Sequence, residues 1–239
     1  MKTVKQALSQ AYPYRIELHA HTSPASPCGD ATPEETVRLY LEAGFHGLVI
    51  TNHFSRAAYG DATRREIARA HLDDYERACN AAEGTGLRVY LGVEVRFDEN
   101  ANDYLLYGVD QDILGKLYDH FATGLAAFRD KVPLPDSVLI QAHPFRNGCE
   151  PAEARLLDGI EVFNMHPHHN SRVGLAAKYA ADNDLIISGG SDYHDVGWHG
   201  LCFLRTKSRM RDSFDVADAL RERDVMFEMS GNIVLPYCK

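Results

Sequence analysis

"YRIELHAHTSPASPCGD", residues 14–30, decides how the rest of the chain is read. Residues 14–21 alternate as an extended strand does, and successive side chains of a strand point to opposite faces. Ile16, Leu18 and Ala20 then share a face that suits burial against helices. Glu17, His19 and His21 share the other, where imidazoles without partners are poorly accommodated in a core. A single short H-x-H fits a strand edge carrying surface histidines as well as it fits a pair of metal ligands, since neutral imidazole is the commonest metal-binding side chain. The remaining strands have to decide.

Those strands alternate with helices. Thr32-Pro33-Glu34-Glu35 joins an N-cap threonine, a proline at the first helical position and a glutamate three residues after the cap, which predicts a helix to about Ala43, stopped by Gly44. "HGLVITNH" (46–53) is a β-branched apolar run that reads as a buried strand. "TRREIARAHLDDYERACNAAEG" (63–84) predicts a helix to about Glu83 with Gly84 as its stop. Further strands are predicted at "LRVYLGVEVRF" (87–97), "NDYLLYGV" (102–109), "SVLIQAHP" (137–144), "DGIEVFN" (158–164) and "LIISGGSDYH" (185–194). Further helices are predicted at "DILGKLYDHFATGLAAFRD" (112–130), "SRVGLAAKYAADND" (171–184) and near "DVADALRER" (215–223). Seven strands in this rhythm, buried on both faces, predict an α/β fold whose parallel sheet is either open or closed into a barrel.

No linker, low-complexity tract or internal repeat divides the 239 residues, so a single domain over 1–239 is expected. With 45% hydrophobic and 25% charged residues the chain reads as globular, and no apolar run reaches the length of a membrane span. The opening "MKTVKQALSQAYPYR" is too polar for a signal peptide. The five cysteines, Cys28, Cys79, Cys149, Cys202 and Cys238, form no C-x-x-C pair and read as reduced cytoplasmic thiols. A formal charge of −9 argues against a broad nucleic-acid-binding face, because such affinity comes mostly from Lys and Arg on phosphates. It leaves room for one small phosphorylated substrate.

The polar residues fall at strand ends: His19 and His21 on the first strand, His53 on the second, Glu94 on the third, His143 on the fifth, Asp192 and His194 after the seventh. Each alone has a structural explanation, such as a carbonyl-bonded histidine, an ion-paired glutamate or a turn aspartate. Together they repeat one pattern, and in a parallel β/α barrel such ends converge on a single mouth. An open sheet would spread them along an edge, so a TIM-like barrel is expected. Nitrogen and carboxylate ligands without paired cysteines are the composition of open catalytic Zn, Mn or Fe sites, in preference to Mg or to closed structural zinc.

In "ELHAHT" (17–22), "ITNH" (50–53), "GVEV" (92–95), "AHPF" (142–145) and "GGSDYH" (189–194) the chain resembles the PHP family, the polymerase and histidinol phosphatase superfamily of metal-dependent phosphoesterases. The resemblance runs from about Arg15 to His199. It implies a distorted seven-stranded (β/α)7 barrel with two or three divalent ions at its mouth. His19, His21, Glu94 and Asp192 would hold one ion, Glu94 would bridge to a second taken by His143, and His53 and His194 would serve a third. The implied chemistry is hydrolysis of a phosphomonoester or small phosphodiester by a metal-activated hydroxide, with Asp192, His194 and Glu94 as the catalytic set.

Three positions depart from the family pattern. After H-x-H the chain offers only Cys28 or Asp30 as a further ligand, on the fourth strand only Asp103 or Tyr104, and Asn52 stands where an aspartate is usual, which bears on the support of His53. For substrate, Arg146 and Arg172 suit bidentate phosphate binding, and His166, with His168 and His169 behind it, suits contact or proton donation. Asn164 and His199 are candidates for the rim; His46, His71, His120 and Cys79 lie outside the pattern and read as structural or surface residues. Two rival functions are an amidohydrolase-type hydrolase, against which stands the lack of a strand-borne lysine to bridge metals, and a non-catalytic, metal-stabilised regulatory domain.

Overall fold

The computed structural model describes residues 2–237; Cys238 lies outside them. The strands are β1 (Tyr14–Ala20), β2 (Gly47–Ile50), β3 (His53–Phe54), β4 (Arg88–Leu91), β5 (Val93–Arg96), β6 (Asp103–Tyr107), β7 (Val138–Gln141), β8 (Gly159–Asn164), β9 (Ile186–Gly190), β10 (Cys202–Thr206), β11 (Met226–Met229) and β12 (Asn232–Val234). The helices are α1 (Val4–Ala11), α2 (Pro33–Glu42), α3 (Arg56–Tyr59), α4 (Arg64–Ala82), α5 (Gln111–His120), α6 (Gly124–Lys131), α7 (Val173–Asp182) and α8 (Ser213–Glu222).

Each of the seven expected strands is present, the second and third broken into β2/β3 and β4/β5. The α/β character holds, but the ladders do not close into one seven-stranded barrel. They form two mixed six-stranded sheets, ordered β12-β11-β10-β1-β2-β4 and β3-β5-β6-β7-β8-β9. The breaks hand the chain from one sheet to the other: β2 pairs β4 in the first and β3 pairs β5 in the second. Backbone bonds Gly92 N–H to Ile50 O (3.0 Å) and Glu94 N–H to Asn52 O (3.2 Å) carry the seam. Gly92 is required there, because a Cβ would lie 2.6 Å from Val49 Cγ1. Across the molecule a second seam joins β1 to the segment after β9, through a parallel bridge between Ala20 and Tyr193.

Not every ladder is parallel. β5 and β6 are separated by residues 97–102 alone, too few for a crossover helix, and they pair antiparallel. β6 and β7 also pair antiparallel, although α5 and α6 lie between them, and β10 returns antiparallel onto β1. The expected helix over 112–130 is two, α5 and α6, with Gly124 at φ +83° opening the second. Helices α2 and α4 start from reciprocal capping boxes, Thr32 with Glu35 and Thr63 with Glu66. Ile16 and Leu18 of β1 pack into a core with Val93, Val95, Leu105, Leu139 and Ile160, while Ala20 packs with Leu48, Ile50 and Tyr40 of α2. Strand β1 is therefore buried on both faces from Ile16 onward, and its polar side chains have no exit to solvent.

Candidate metal centre

His19, near the end of β1, and His21, just after it, are fully buried, each with its Nε2 turned to the other at 3.1 Å. Glu94, on β5, and Asp192, after β9, close on the same spot. Glu94 Oε1 is 3.5 Å from His19 Nε2, and its Oε2 is 3.3 Å from His21 Nε2. Asp192 Oδ1 is 3.3 Å and 3.5 Å from the same two nitrogens. Four ligands at about 2.0–2.1 Å from a tetrahedral ion stand roughly 3.3–3.4 Å apart, from the usual Zn–N and Zn–O lengths. The two histidine nitrogens already sit near that spacing from each other and from an oxygen of each carboxylate, so the residues fit a cation.

Glu94 reaches further in both directions. Its Oε1 is 3.0 Å from His143 Nε2 and its Oε2 is 2.9 Å from His53 Nδ1. Oε2 is nevertheless buried without a properly directed hydrogen bond, as is His143 Nδ1, and unsatisfied buried acceptors are costly. His194 lies with its Nδ1 2.9 Å from the Asp192 carbonyl, and its ring stacks on His21 at 4.3 Å between centroids. Two of these residues hold left-handed backbone, His143 at φ +29° and Asp192 at φ +51°, a conformation that non-glycine residues keep only where surroundings enforce it.

The electrostatics are those of a pocket built around positive charge. Burial opposes ionisation of Glu94, but His53 and His19 outweigh it and hold the carboxyl well below its usual range. Burial opposes Asp192 likewise, and His19, His21 and His143 hold it low. Burial disfavours the cation at His19, yet Asp192, Glu161 and Glu94 raise its pKa well above the ordinary value. His143 rises to about 10 against its own burial, through Cys149 and Glu94. His21 goes the other way, lowered by burial and by His194 and His53.

Surrounding residues orient this set, and the sequence reading missed several of them. Glu161, on β8 and fully buried, contacts His19 Nδ1 through Oε1 at 2.9 Å. Its Oε2 accepts from His143 N–H (2.9 Å) and from Asn164 Nδ2 (2.9 Å). Asn164 also donates to Asp192 Oδ2 at 3.1 Å. Ser26 accepts from His53 N–H at 2.8 Å and contacts His21 Nδ1 at 3.2 Å. Asn52 supports a different neighbour from the one expected: it accepts from Thr22 N–H at 2.7 Å and donates to Thr22 Oγ1 at 2.8 Å, tying β1 to β2. Glu17 shares a strand face with His19 but stays out of the cluster, because it accepts from Ser191 Oγ (2.6 Å), Ser191 N–H (2.9 Å) and Tyr40 OH (2.8 Å).

The open positions resolve as follows. Asp103 faces the pocket, but Arg96 holds it in a bidentate pair at 2.7 and 2.6 Å, and it stands 3.8 Å from His143 Nε2. Tyr104 turns away and packs on Phe97. Cys28 comes within 4.8 Å of ligand atoms of His21, His53 and His194. Burial raises its thiol, but hydrogen bonding to His194 and His53 prevails and brings it down to about 6. Asp30 donates its N–H to His194 O.

Arg146 lies at the mouth, half-buried, with Nη2 3.5 Å from Asp103 Oδ2. Arg172 is exposed and donates to Asn147 Oδ1 at 2.8 Å, beside the loop carrying Arg146. The His166 ring sits 5.3 Å from that of His194, 4.1 Å from that of His169 and 5.1 Å from that of Trp198, and His168 also lies 5.1 Å from the Trp198 ring. Burial lowers His166 to about 4, so it meets a ligand as a neutral imidazole. His199 packs behind, on Tyr40 and Tyr193. His46 faces Tyr14, His71 bonds Gly92 O, His120 bonds Lys116 O, and Cys79 packs partly buried against the second core. Among the described residues no helix is long and apolar enough to cross a membrane.

The PHP domain family model matches residues 17–194. No curated protein matches the sequence. Among solved structures, a protein of Bifidobacterium adolescentis assigned as a metal-dependent phosphoesterase is similar at 20% identity and TM-score 0.51, over 86% of this chain and 95% of that one. PsfC from Pseudomonas syringae is similar at 16% identity and TM-score 0.63, over 85% and 87%. A two-domain protein of Bacteroides vulgatus, assigned a PHP-like metal-dependent phosphoesterase region, is similar at 15% identity and TM-score 0.60, over 90% of this chain and 64% of that one. At these identities the likeness is one of fold.

Proposed function

The chain belongs to the PHP domain family, whose members are metal-dependent hydrolases, and on that premise we propose that it hydrolyses a small phosphoester, mono- or diester, at the centre around Glu94. The observation that carries this reading is the spacing at His19 and His21, whose Nε2 atoms lie 3.1 Å apart and each within 3.3–3.5 Å of a Glu94 oxygen and of Asp192 Oδ1. They would hold one divalent ion, with Glu94 reaching to a second at His143 and His53 and His194 serving a third. Two or three ions of Zn, Mn or Fe suit this set. When bound, such ions lower the pKa of water and neutralise charge on phosphoryl oxygens.

The chain's own residues do the rest. Glu94 and Asp192 are held ionised and supply the negative charge that draws cations in. His53 and His194 are the ligands that reach solvent, at 25% and 14% exposure, so substrate arrives on their side. Arg146 needs little of its fork for Asp103, which Arg96 already satisfies, and the remaining N–H groups suit a phosphate. His166 offers a neutral imidazole beside His194, and Arg172 lies further out as a contact for a larger substrate. Asp192 and His194 are the groups positioned to move protons at the reacting oxygen. The net charge of −9 suits a small phosphorylated substrate better than nucleic acid.

The test is elemental analysis of the purified protein, paired with turnover of a panel of phosphate esters and an amide substrate before and after chelation. Phosphate release that chelation abolishes and metal restores supports the reading. Amide cleavage without phosphate release, or a fully metallated and folded protein with no turnover, contradicts it.

A further inference from the structure

Cys28 belongs to a group of donors unlike the rest of the pocket. Its Sγ and one ring nitrogen each of His21, His53 and His194 lie within 4.8 Å of one another. His21 is committed elsewhere, since its Nδ1 meets Ser26 and its Nε2 faces His19, Glu94 and Asp192. That leaves Cys28, His53 and His194 as three donors of a separate position, two nitrogens and one sulfur. The oxygen-rich side of the pocket, with Glu94, Asp192 and His143, is chemically harder.

The cysteine's place is built in by the backbone. Gly29 N–H bonds Ser26 O at 2.9 Å, Ser26 Oγ accepts from His53 N–H at 2.8 Å, and Asp30 N–H bonds His194 O at 2.9 Å. The loop is therefore stitched on either side of Cys28 to both histidines it faces. Independently, Glu94 Oε2 is buried, lacks a directed hydrogen bond, and points at His53 Nδ1 from 2.9 Å. A cation beside His53 would satisfy that oxygen. Ligand pairs around a tetrahedral ion stand about 3.3–3.7 Å apart for nitrogen and sulfur donors, so the group needs only to contract.

We propose that Cys28, His53 and His194, with Glu94 Oε2 at its edge, form a soft divalent-metal position that takes Zn²⁺ through a thiolate. Soft sulfur ligation favours Zn²⁺ over Mn²⁺. Binding displaces the thiol proton to solvent and involves no change of oxidation state. The proposal rests on reading the pocket as a metal centre and goes beyond it in naming a sulfur ligand and a metal preference within it.

The probe is Co²⁺ added to the chelated full-length protein and read by near-ultraviolet absorption, where sulfur-to-cobalt charge transfer is distinct from any nitrogen or oxygen band. The wild type should show that band; Cys28→Ser should lose it together with one bound cobalt per chain, with an unchanged circular dichroism spectrum, while Cys149→Ser should keep it. A second measurement needs no variant: saturating Zn²⁺ should slow alkylation of Cys28, mapped by mass spectrometry. Cobalt binding without the charge-transfer band, a band that follows Cys149, or Cys28 alkylation unchanged by bound zinc would overturn the sulfur ligand while leaving the metal centre standing. Failure to bind any cobalt or zinc would overturn both.

Discussion

Replacing Glu161 by glutamine separates the support of the metal centre from the centre itself. Glu161 touches no substrate position; it holds His19 Nδ1 at 2.9 Å and braces His143 N–H and Asn164 Nδ2. Glutamine keeps the volume and can still accept from His143, but it removes the anion that orients His19 and makes its Nε2 electron-rich. Losing an anionic partner of this kind costs roughly 10–100-fold in metal affinity or activity, equivalent to about 1.4–2.7 kcal/mol. The alanine variant is a different experiment. It strands three buried donors at about 1–3 kcal/mol each, a sum comparable with the whole stability of a domain, about 5–15 kcal/mol, and should fail to fold. The assay is competition for zinc against a chromophoric chelator, run beside thermal unfolding of the metal-free protein. Glu161→Gln that folds and binds zinc within about twofold of wild type, against the 10–100-fold expected of such a partner, would refute the reasoning.

Other outcomes follow from single contacts. His19→Ala or Asp192→Ala should lose bound metal and phosphoester turnover together while far-ultraviolet circular dichroism stays near wild type. Gly190→Ala should damage the centre from behind, because a Cβ there would lie 2.5 Å from His19 Cβ; a destabilisation of about 1–3 kcal/mol is expected for such overpacking, with weakened metal binding in the same titration. His71, fully buried against Gly92 O, stays neutral down to about 4 because of burial. The unfolded chain takes up that proton below about 6.5, so stability from this group is complete above that pH and is lost as pH falls towards 4. The loss amounts to about 3 kcal/mol, and urea titrations across that window should show it in the wild type and not in His71→Gln.

Much of the centre was legible because its donors end apolar strands, and a strand that buries both faces cannot carry His19, His21, Glu94 or His143 without partners. The seven residues assigned as ligands do converge. What was not legible depends on pairing. Glu17 looked equivalent to His19 by alternation, yet Ser191 and Tyr40 claim it, and neither lies near it in sequence. Glu161 sits mid-strand in "DGIEVFN", where a glutamate could equally have met solvent; only the neighbouring strands make it a brace for His19. Asp103 and Tyr104 stayed open until the register of β5 on β6 set Asp103 opposite Arg96. The sheets split where β2/β3 and β4/β5 break, inside runs that alternation reads as single strands, and β10–β12 are not predicted because "CFLRT", "MFEM" and "NIV" are brief. Alternation of strands and helices specifies the class of fold, whereas closure depends on contacts between residues far apart in the chain.

The central claim is that side chains from separate strands form a single cation-binding cage. Its most direct test is diffraction from crystals of the zinc- or manganese-loaded protein, measured at the absorption edge of the metal. The predicted result is an anomalous peak in coordinating contact with His19, His21, Glu94 and Asp192. Stoichiometric metal in the crystal with no peak touching the Glu94 carboxylate would contradict it.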